Sequence, residues 1–419
     1  MSIFKVTGNR PLEGQLTVQG AKNSVLPLLA ATILAPSVSI LRNCPDLSDV
    51  RASMDILRHL GCKVRRMGDA ISVDATTLTC TDIPDELMRA MRSSVIFLGA
   101  ILARCGCARM NLPGGCELGP RPIDLHLFAL RKLGAVIEET PEGLQCSAPQ
   151  LTGKEIVLSI PSVGATENAM LCAVAARGVT TIQNAAREPE IADLQAFLQK
   201  MGAGVWGAGG SVITVMGKLP LTGATHKVIG DRIVAATYLS AVAAAGGDLR
   251  LLGVDYRHLS TITGALSEAG CKLQSGADWV SIQRAEGAPL RASSPLRTAP
   301  YPGFPTDAQA PLMAAFCTAQ GATMFTENVF SSRYRHVDEL MRLGADIRVE
   351  GRVAVVNGVP TLHGGAVKAT DLRGGAALVV AALGAEGETE ISGLQHLDRG
   401  YAALEQELQA LGAQIRRIS

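Results

Sequence analysis

Two kinds of helical segment alternate along the chain, and the spacing of their apolar positions tells them apart. The first kind is amphipathic and always ends in the same way. Six segments, 57–64, 130–137, 198–205, 266–273, 340–347 and 408–415, begin with Leu, carry Leu, Met or Ala at the fourth position, then Gly, a small residue and a β-former two places later. Glycine just past the last helical turn supplies the positive φ that a Schellman or αL cap requires. The pattern therefore predicts helices stopped at Gly61, Gly134, Gly202, Gly270, Gly344 and Gly412, each followed by a strand. These glycines are 73, 68, 68, 74 and 68 residues apart, a near-constant period that marks six copies of one unit. The second kind of helix, at 23–34, 93–104, 165–176, 232–245, 307–319 and 372–385, is rich in Ala and apolar on nearly every side. A helix of that kind belongs inside a domain.

Short β-like runs at 70–73, 156–160, 212–215, 279–283 and 353–356 lie between the helices. Each unit thus reads as strands with one buried and one half-exposed helix. A chain of 419 residues is too long for one hydrophobic core. Three units make each of two domains, predicted at 20–229 and at 1–19 with 230–419. Hydrophobic residues at 47% and charged residues at 18% exclude disorder as a general description. The balance of 39 Lys and Arg against 38 Asp and Glu offers no basic surplus for a nucleic-acid partner, so any anion site must be a local cluster of cations. The opening residues do not form a secretory signal, and the apolar runs fall short of a membrane span, so a cytoplasmic protein with no membrane partner is expected. Ten cysteines form no Cys-x-x-Cys pair and no cluster with zinc spacing. Most read as buried small hydrophobes, Cys105 and Cys107 included.

The buried helices begin with a repeated chemical theme: Lys22-Asn23, Arg92-Ser93-Ser94, Ser162-Val163-Gly164, Asp231-Arg232, Thr306-Asp307 and Asp371-Leu372-Arg373. The Ser, Thr, Asp and Asn residues are good N-caps. The cations are not, because Lys or Arg near a helix N-terminus opposes the macrodipole unless an anion sits between them. Four of the six starts carry one, which points to anionic ligands held between helix ends and basic side chains. If the three units of a domain sit about a pseudo-threefold axis, their helix starts converge. Two loops add reactive groups. The Gly- and Pro-rich stretch 113–126 carries Cys116 five residues before Arg121, a setting for an accessible thiol of lowered pKa or for an incidental one. The loop 301–307 delivers Asp307 at a helix start, as an N-cap or as a base.

These residues resemble, from end to end, the UDP-N-acetylglucosamine 1-carboxyvinyltransferases, the enolpyruvyl transferases of peptidoglycan synthesis. The match is carried by Gly20-Ala21-Lys22-Asn23-Ser24, the Cys116 loop through His126, Ala186-Arg187-Glu188-Pro189-Glu190-Ile191, residues 302–307, Thr370-Asp371-Leu372-Arg373 and Asp398-Arg399-Gly400-Tyr401. The resemblance implies an α/β fold of two inside-out α/β barrel domains, like that of EPSP synthase, built from six βαβαββ repeats in pseudo-threefold domains. It implies transfer of the enolpyruvyl group of phosphoenolpyruvate to the 3-hydroxyl of UDP-N-acetylglucosamine with release of phosphate, the first committed step of peptidoglycan synthesis. No metal or organic cofactor is implied. Lys22, Arg121 and Arg399 match the phosphate-binding cations, Arg333 and Arg373 those near the carboxylate, and Arg92 and Arg232 further cations of the site. Asp307 matches the candidate base. Cys116 matches the loop cysteine, which either donates the proton to the methylene carbon or assists phosphate release, and which the epoxide fosfomycin alkylates. Pro122, Ile123, Asp124 and Leu125, with Ser162, Val163 and Gly164, match the nucleotide-binding segments. Asn23, Val329 and Asp371 match further substrate contacts, while Glu188 and Glu190 match supporting acids.

The chain departs from the family pattern at Ser331-Ser332, where Glu-Asn commonly precedes the arginine, and at Val234, where an acid is frequent. These changes leave room for a specialised paralogue, or for a nucleotide-sugar-binding regulator without turnover. The shikimate-pathway enolpyruvyl transferase is the alternative enzyme with the same architecture, but it lacks the Gly-Gly-Cys loop and the match at 184–190. The run 202–207 satisfies G-x-G-x-x-G but closes a helix instead of opening one, so it is not a dinucleotide fingerprint. His126, His336 and His396 fit structural hydrogen bonding at least as well as catalysis.

Overall fold

The computed structural model describes residues 2–111, 123–141, 143–285 and 287–418, and for Arg92 the backbone alone. Cys116, Arg121 and Pro122 lie outside the described residues. The described helices are α1 (Lys22–Ala31), α2 (Ser48–His59), α3 (Asp85–Ala90), α4 (Phe97–Cys105), α5 (Asp124–Lys132), α6 (Val163–Ala173), α7 (Pro189–Lys200), α8 (Arg232–Ala245), α9 (Ser260–Glu268), α10 (Thr306–Phe316), α11 (Val337–Arg342), α12 (Leu372–Gly384) and α13 (Leu404–Ala410). Two of the buried helices are extended by single 3₁₀ turns, Thr32–Leu34 after α1 and Arg92–Ile96 before α4.

The described residues separate into two compact units, one of residues 20–111, 123–141 and 143–229 and one of residues 2–19, 230–285 and 287–418. The described residues of the two units form six four-stranded sheets. One sheet shows the plan: Asp82–Ile83 pairs in parallel with Cys107–Met110, which pairs antiparallel with Gly143–Ser147, itself antiparallel to Val136–Thr140. With a helix in each crossover and a tight hairpin at the end, the unit is βαβαββ. Three sheets borrow a strand from elsewhere in the chain. Thr225–Lys227 completes the sheet of Val38–Arg42, Leu12–Thr17 pairs with Gly247–Leu252, and Ile3–Thr7 inserts between Glu388–Ser392 and Gln414–Ile418.

The six predicted glycine stops have φ between 95° and 103°, and each is followed by a strand. The helices they end, α2, α5, α7, α9, α11 and α13, lie partly exposed. The other set is buried: in α8, twelve residues from Arg232 to Ala243 are inaccessible or nearly so. In the first unit α1, α4 and α6 pack together, and in the second α8, α10 and α12 do. Gly99 sets the α4–α6 approach, since a Cβ there would lie 2.5 Å from the Asn168 carbonyl oxygen.

Two expectations fail. The run 156–160 is a strand only over Glu155–Val157. The Leu158 amide makes the last bond across to Gln183, and Ile160 turns out to 60% exposure before the next helix cap. Cys107 is exposed and Cys105 half-buried, not core residues, because Gly106 ends α4 in the αL conformation and the following strand alternates with Cys107 facing outward.

Candidate active site

In unit 20–229, Lys22 is the first residue of α1, and its Nζ lies 3.1 Å from Oδ2 of Asp49 in the first turn of α2. Asn23 follows it, half-buried. The start of α1 is fixed from behind. Ser24 donates to Asp193 Oδ2 at 2.5 Å, and Oδ1 of Asp193 is 2.7 Å from Nε2 of His226. Lys200 donates to Nδ1 of that ring at 3.0 Å, so Nε2 carries the proton given to Asp193. Arg92 begins its 3₁₀ turn.

Ser162 caps α6 by accepting from the Ala165 amide, with Val163 and Gly164 in the first turn. Asp124 opens α5, and Ile123 and Leu125 pack at the edge of the core. Buried Asn168 joins three elements: its Oδ1 accepts from the Gly99 amide at 2.7 Å, and its Nδ2 reaches the Val95 carbonyl at 3.0 Å and His126 Nδ1 at 2.7 Å. Burial holds His126 down at about 4, against a smaller opposing pull from Asp124, so the ring is neutral. A Cβ at Gly164 would strike that ring at 2.6 Å. The acids Glu188 and Glu190, at the start of α7, face the buried Glu167 of α6. Burial, then Glu190 and Glu188, push the Glu167 carboxyl well above its ordinary range.

In the other unit, the starts of α8, α10 and α12 meet. Asp231 caps α8, its Oδ1 accepting from the amides of Ile233 and Val234. Asp371 caps α12 in the same way, through Arg373 and Gly374. Asp307 does not cap α10. Pro305 occupies the cap position, and the Asp307 side chain is left to point at cations. Its Oδ1 is 2.7 Å from a terminal nitrogen of Arg333, and its Oδ2 is 3.3 Å from one of Arg373. Those arginines are only 2% and 4% exposed, while Asp307 is 28% exposed.

Arg333 also donates to the Thr306 carbonyl at 3.3 and 2.9 Å. Arg373 reaches the Tyr401 hydroxyl at 3.4 Å, and that hydroxyl is 2.8 Å from Thr237 of α8. Burial works against the charge of Arg373, but Asp307, Tyr401 and Asp231 outweigh it and hold the guanidinium above its ordinary range. The Arg232 guanidinium stands 5.5 Å from the centroid of the Tyr301 ring. Glu327 organises the neighbouring turn by accepting from Thr306 Oγ1 at 2.9 Å and from the amides of Val329 and Phe330. Val329 itself is 44% exposed. Arg399 ends the short turn Leu397–Arg399, whose next residues are braced by Gln19, which donates to the Gly400 carbonyl and accepts from the Ala402 amide.

The structure thus brings Asp307, Arg333 and Arg373 into direct contact, with Asp231 and Arg232 at the neighbouring helix start. It pairs Lys22 with Asp49. Among the supporting groups that sequence reasoning missed are Asp49, Asp193, Glu327, Glu167 and Asn168. The last two carried a signal, since they are polar neighbours in a helix otherwise apolar all round. Val234, 1% exposed, packs in the core, and Ser331 is exposed. Among the described residues no helix is long and apolar enough to cross a membrane.

Residues 6–408 match the family model described as EPSP synthase (3-phosphoshikimate 1-carboxyvinyltransferase). The chain is 49% identical over 418 residues to UDP-N-acetylglucosamine 1-carboxyvinyltransferase 2 of Caldanaerobacter subterraneus subsp. tengcongensis, covering 100% of both proteins. It is 47% identical to UDP-N-acetylglucosamine 1-carboxyvinyltransferase 1 of Carboxydothermus hydrogenoformans, covering 100% of this chain and 99% of the relative. Among solved structures, the enolpyruvyl transferase NikO from Streptomyces tendae superposes with a TM-score of 0.89 at 28% identity, over 99% of this chain and 98% of that one. EPSP synthase from Acinetobacter baumannii, at 19% identity and a TM-score of 0.77 over the whole of both chains, shows the same fold. With the inside-out α/β fold shared and the full length matched, the chain belongs to the EPSP synthase family and, within it, to the UDP-N-acetylglucosamine 1-carboxyvinyltransferases.

Proposed function

We propose that this enzyme transfers the enolpyruvyl group of phosphoenolpyruvate to the 3-hydroxyl of UDP-N-acetylglucosamine and releases phosphate. The observation that carries the reading is the Asp307 carboxylate at the start of α10, held by the two buried guanidiniums of Arg333 and Arg373. A pair of fixed, desolvated arginines suits bidentate recognition of a small carboxylate. The donor's carboxylate takes these guanidiniums, and its phosphate is met by Lys22, Arg121 and Arg399. Arg92 and Arg232 add positive charge.

The chemistry requires two proton movements on the way in and one on the way out. Asp307 accepts the proton of the sugar hydroxyl as its oxygen bonds to C2 of the donor. A general acid, with Cys116 the candidate, protonates the methylene carbon. The C2–O bond to phosphate then breaks as that carbon gives a proton back, restoring the double bond in the product. Cations placed before the reaction begins stabilise the charge that collects on the departing phosphate. The segments 121–125 and 162–164 hold the nucleotide, and Asn23 contacts the sugar. The names and full-length identity of the relatives support this acceptor. The Cys116 thiol is the site that fosfomycin alkylates, and the enzyme acts in the cytoplasm.

The test is phosphate release with phosphoenolpyruvate and either UDP-N-acetylglucosamine or shikimate 3-phosphate. Release with the sugar nucleotide alone is expected. Release only with shikimate 3-phosphate, or with neither, overturns the assignment.

A further inference from the structure

Away from these residues, at the C-terminal end of α2, three side chains of different ligand chemistry converge. His59 Nε2 lies 3.6 Å from Cys80 Sγ and 3.4 Å from Asp82 Oδ2, and Cys80 Sγ lies 2.6 Å from Asp82 Oδ1. All three ligand atoms lie within 4.8 Å of one another. A tetrahedral zinc ion, with Zn–S of about 2.3 Å and Zn–N or Zn–O of about 2.0–2.1 Å, sets its ligands roughly 3.3–3.6 Å apart. The two distances from His59 already fall in that range. The shorter Cys80–Asp82 contact is a thiol proton shared with the carboxylate, and coordination would replace that proton with the metal. The sequence hides the cluster because His59 and Cys80 are 21 residues apart.

The backbone keeps the cluster in register without any ion. The amides of Thr79 and Cys80 both donate to the Leu60 carbonyl, at 3.0 and 3.2 Å, and Thr77 Oγ1 donates to Gly61 at 2.8 Å. Gly61 has φ 96°, and a Cβ there would meet Thr79 Oγ1 at 2.6 Å and the Thr77 carbonyl at 2.7 Å, so the 77–80 segment lies directly on the helix end. Asp82 Oδ2 faces His59 Nε2, a ring nitrogen that can itself serve as a metal ligand. The three side chains are exposed or half-buried, so an ion can reach them, and a three-ligand set leaves a position for water.

We propose that His59, Cys80 and Asp82 form a binding site for one zinc-class divalent cation, which clamps the end of α2 to the strand Asp82–Ile83. On binding, the Cys80 thiol releases its proton to solvent, Cys80 and Asp82 coordinate as anions, and His59 coordinates as the neutral ring. The clamp joins two segments that serve the site described above: α2 carries Asp49, the partner of Lys22, and the strand leads through α3 to Arg92.

The test is titration of the intact protein with Co²⁺ and Zn²⁺, read by absorption and calorimetry. One Co²⁺ per chain is expected, with a thiolate charge-transfer band in the near ultraviolet and visible bands of tetrahedral intensity, all displaced by Zn²⁺ but not by Mg²⁺. Cys80→Ser and His59→Gln should each weaken Zn²⁺ binding by at least the roughly 10–100-fold that loss of an outer-shell partner costs, and Asp82→Asn should weaken it as well. Cys107→Ser and Cys116→Ser should leave the band in place. Absence of the band in the wild type, its persistence in Cys80→Ser, or its loss in Cys107→Ser or Cys116→Ser overturns the proposal. Circular dichroism of each variant separates loss of the site from loss of the fold.

Discussion

Replacing Asp307 with Asn keeps the shape of the side chain and removes its charge, which isolates the role of the carboxylate. In the native structure, each oxygen faces a guanidinium, Arg333 at 2.7 Å and Arg373 at 3.3 Å. The amide introduced by Asp307→Asn would offer one acceptor and turn two donors toward the other arginine. Removing one partner of a buried ion pair costs about 3–5 kcal/mol, because a desolvated charge is left behind. Both arginines are almost wholly buried, but Asp307 is 28% exposed and water can partly replace it, so the lower end, about 3 kcal/mol, is expected. For a unit of this size that lowers Tm by about 6–12 °C. Turnover should fall further than stability suggests, by roughly 10²–10⁴, the usual worth of a positioned base. The assay is phosphate release under saturating donor, with UDP-N-acetylglucosamine affinity measured separately by calorimetry and unfolding followed by circular dichroism. Nucleotide affinity should hardly change. A kcat within about tenfold of the native value would remove Asp307 as the base, and an unchanged Tm would show that the arginine pair does not depend on it.

Other expectations rest on buried titratable groups and on the loop thiol. Burial holds His126 and His336 at about 4, in each case against a smaller opposing pull, from Asp124 and Asp371 respectively. The unfolded chain takes up protons that the native state refuses, so stability is complete above pH 6.5 and falls as pH drops toward 4, by on the order of 2 kcal/mol per ring at pH 5. His126→Gln should flatten that slope in urea titrations, and an unchanged slope would refute the assignment. Glu167 behaves in the opposite sense. Its carboxyl is pushed above the ordinary 4.5, first by burial and then by Glu190 and Glu188, so its contribution is present below that pH and is lost as pH rises. Glu167→Gln copies the protonated form and should gain stability over the native protein between pH 4.5 and 7.5, which denaturation at the two values would check. Cys116→Ser should abolish the mass increase produced by fosfomycin, whereas persistent labelling would identify another thiol.

What the sequence disclosed was local. A glycine that must adopt positive φ leaves its mark wherever it occurs, and the alternation of all-apolar with amphipathic helices follows from burial alone. Strand partners are a different matter. Nothing in Ile3–Thr7 announces that it will lie between Glu388–Ser392 and Gln414–Ile418, because pairing across the length of the chain is decided by the assembled core. For the same reason the apolar run at 156–160 predicts a longer strand than Glu155–Val157, and Cys107, expected in the core, is turned outward by strand alternation. Four cations of the candidate site, Lys22, Arg92, Arg232 and Arg373, stand out in the sequence as anomalies at helix starts. The carboxylate partner of Lys22 does not, because an acid such as Asp49 in the first turn of α2 is what the helix dipole favours in any case. Distance, not residue type, distinguishes it.

The proposed role of Asp307 as the base is supported by what distinguishes it from the two other acids near Arg373. Asp231 and Asp371 are committed, since Oδ1 of each accepts two backbone amides at a helix start and releasing them would unmake the cap. Asp307 sits one place beyond its helix start, is the partly exposed member of its ion pairs, and is held by guanidiniums that a substrate carboxylate can also satisfy. In the proposed reaction, exchange of one carboxylate for another would conserve charge around the arginines and release Asp307 as the donor arrives. Donor binding and base release would then depend together on the planar fork of Arg373, which reaches both Asp307 and Tyr401. A lysine keeps the charge but not the fork. Arg373→Lys should therefore raise KM for phosphoenolpyruvate and lower kcat together, while leaving UDP-N-acetylglucosamine affinity intact. A variant that lost only nucleotide affinity would show that Arg373 serves the other substrate and that Asp307 is released by some other means.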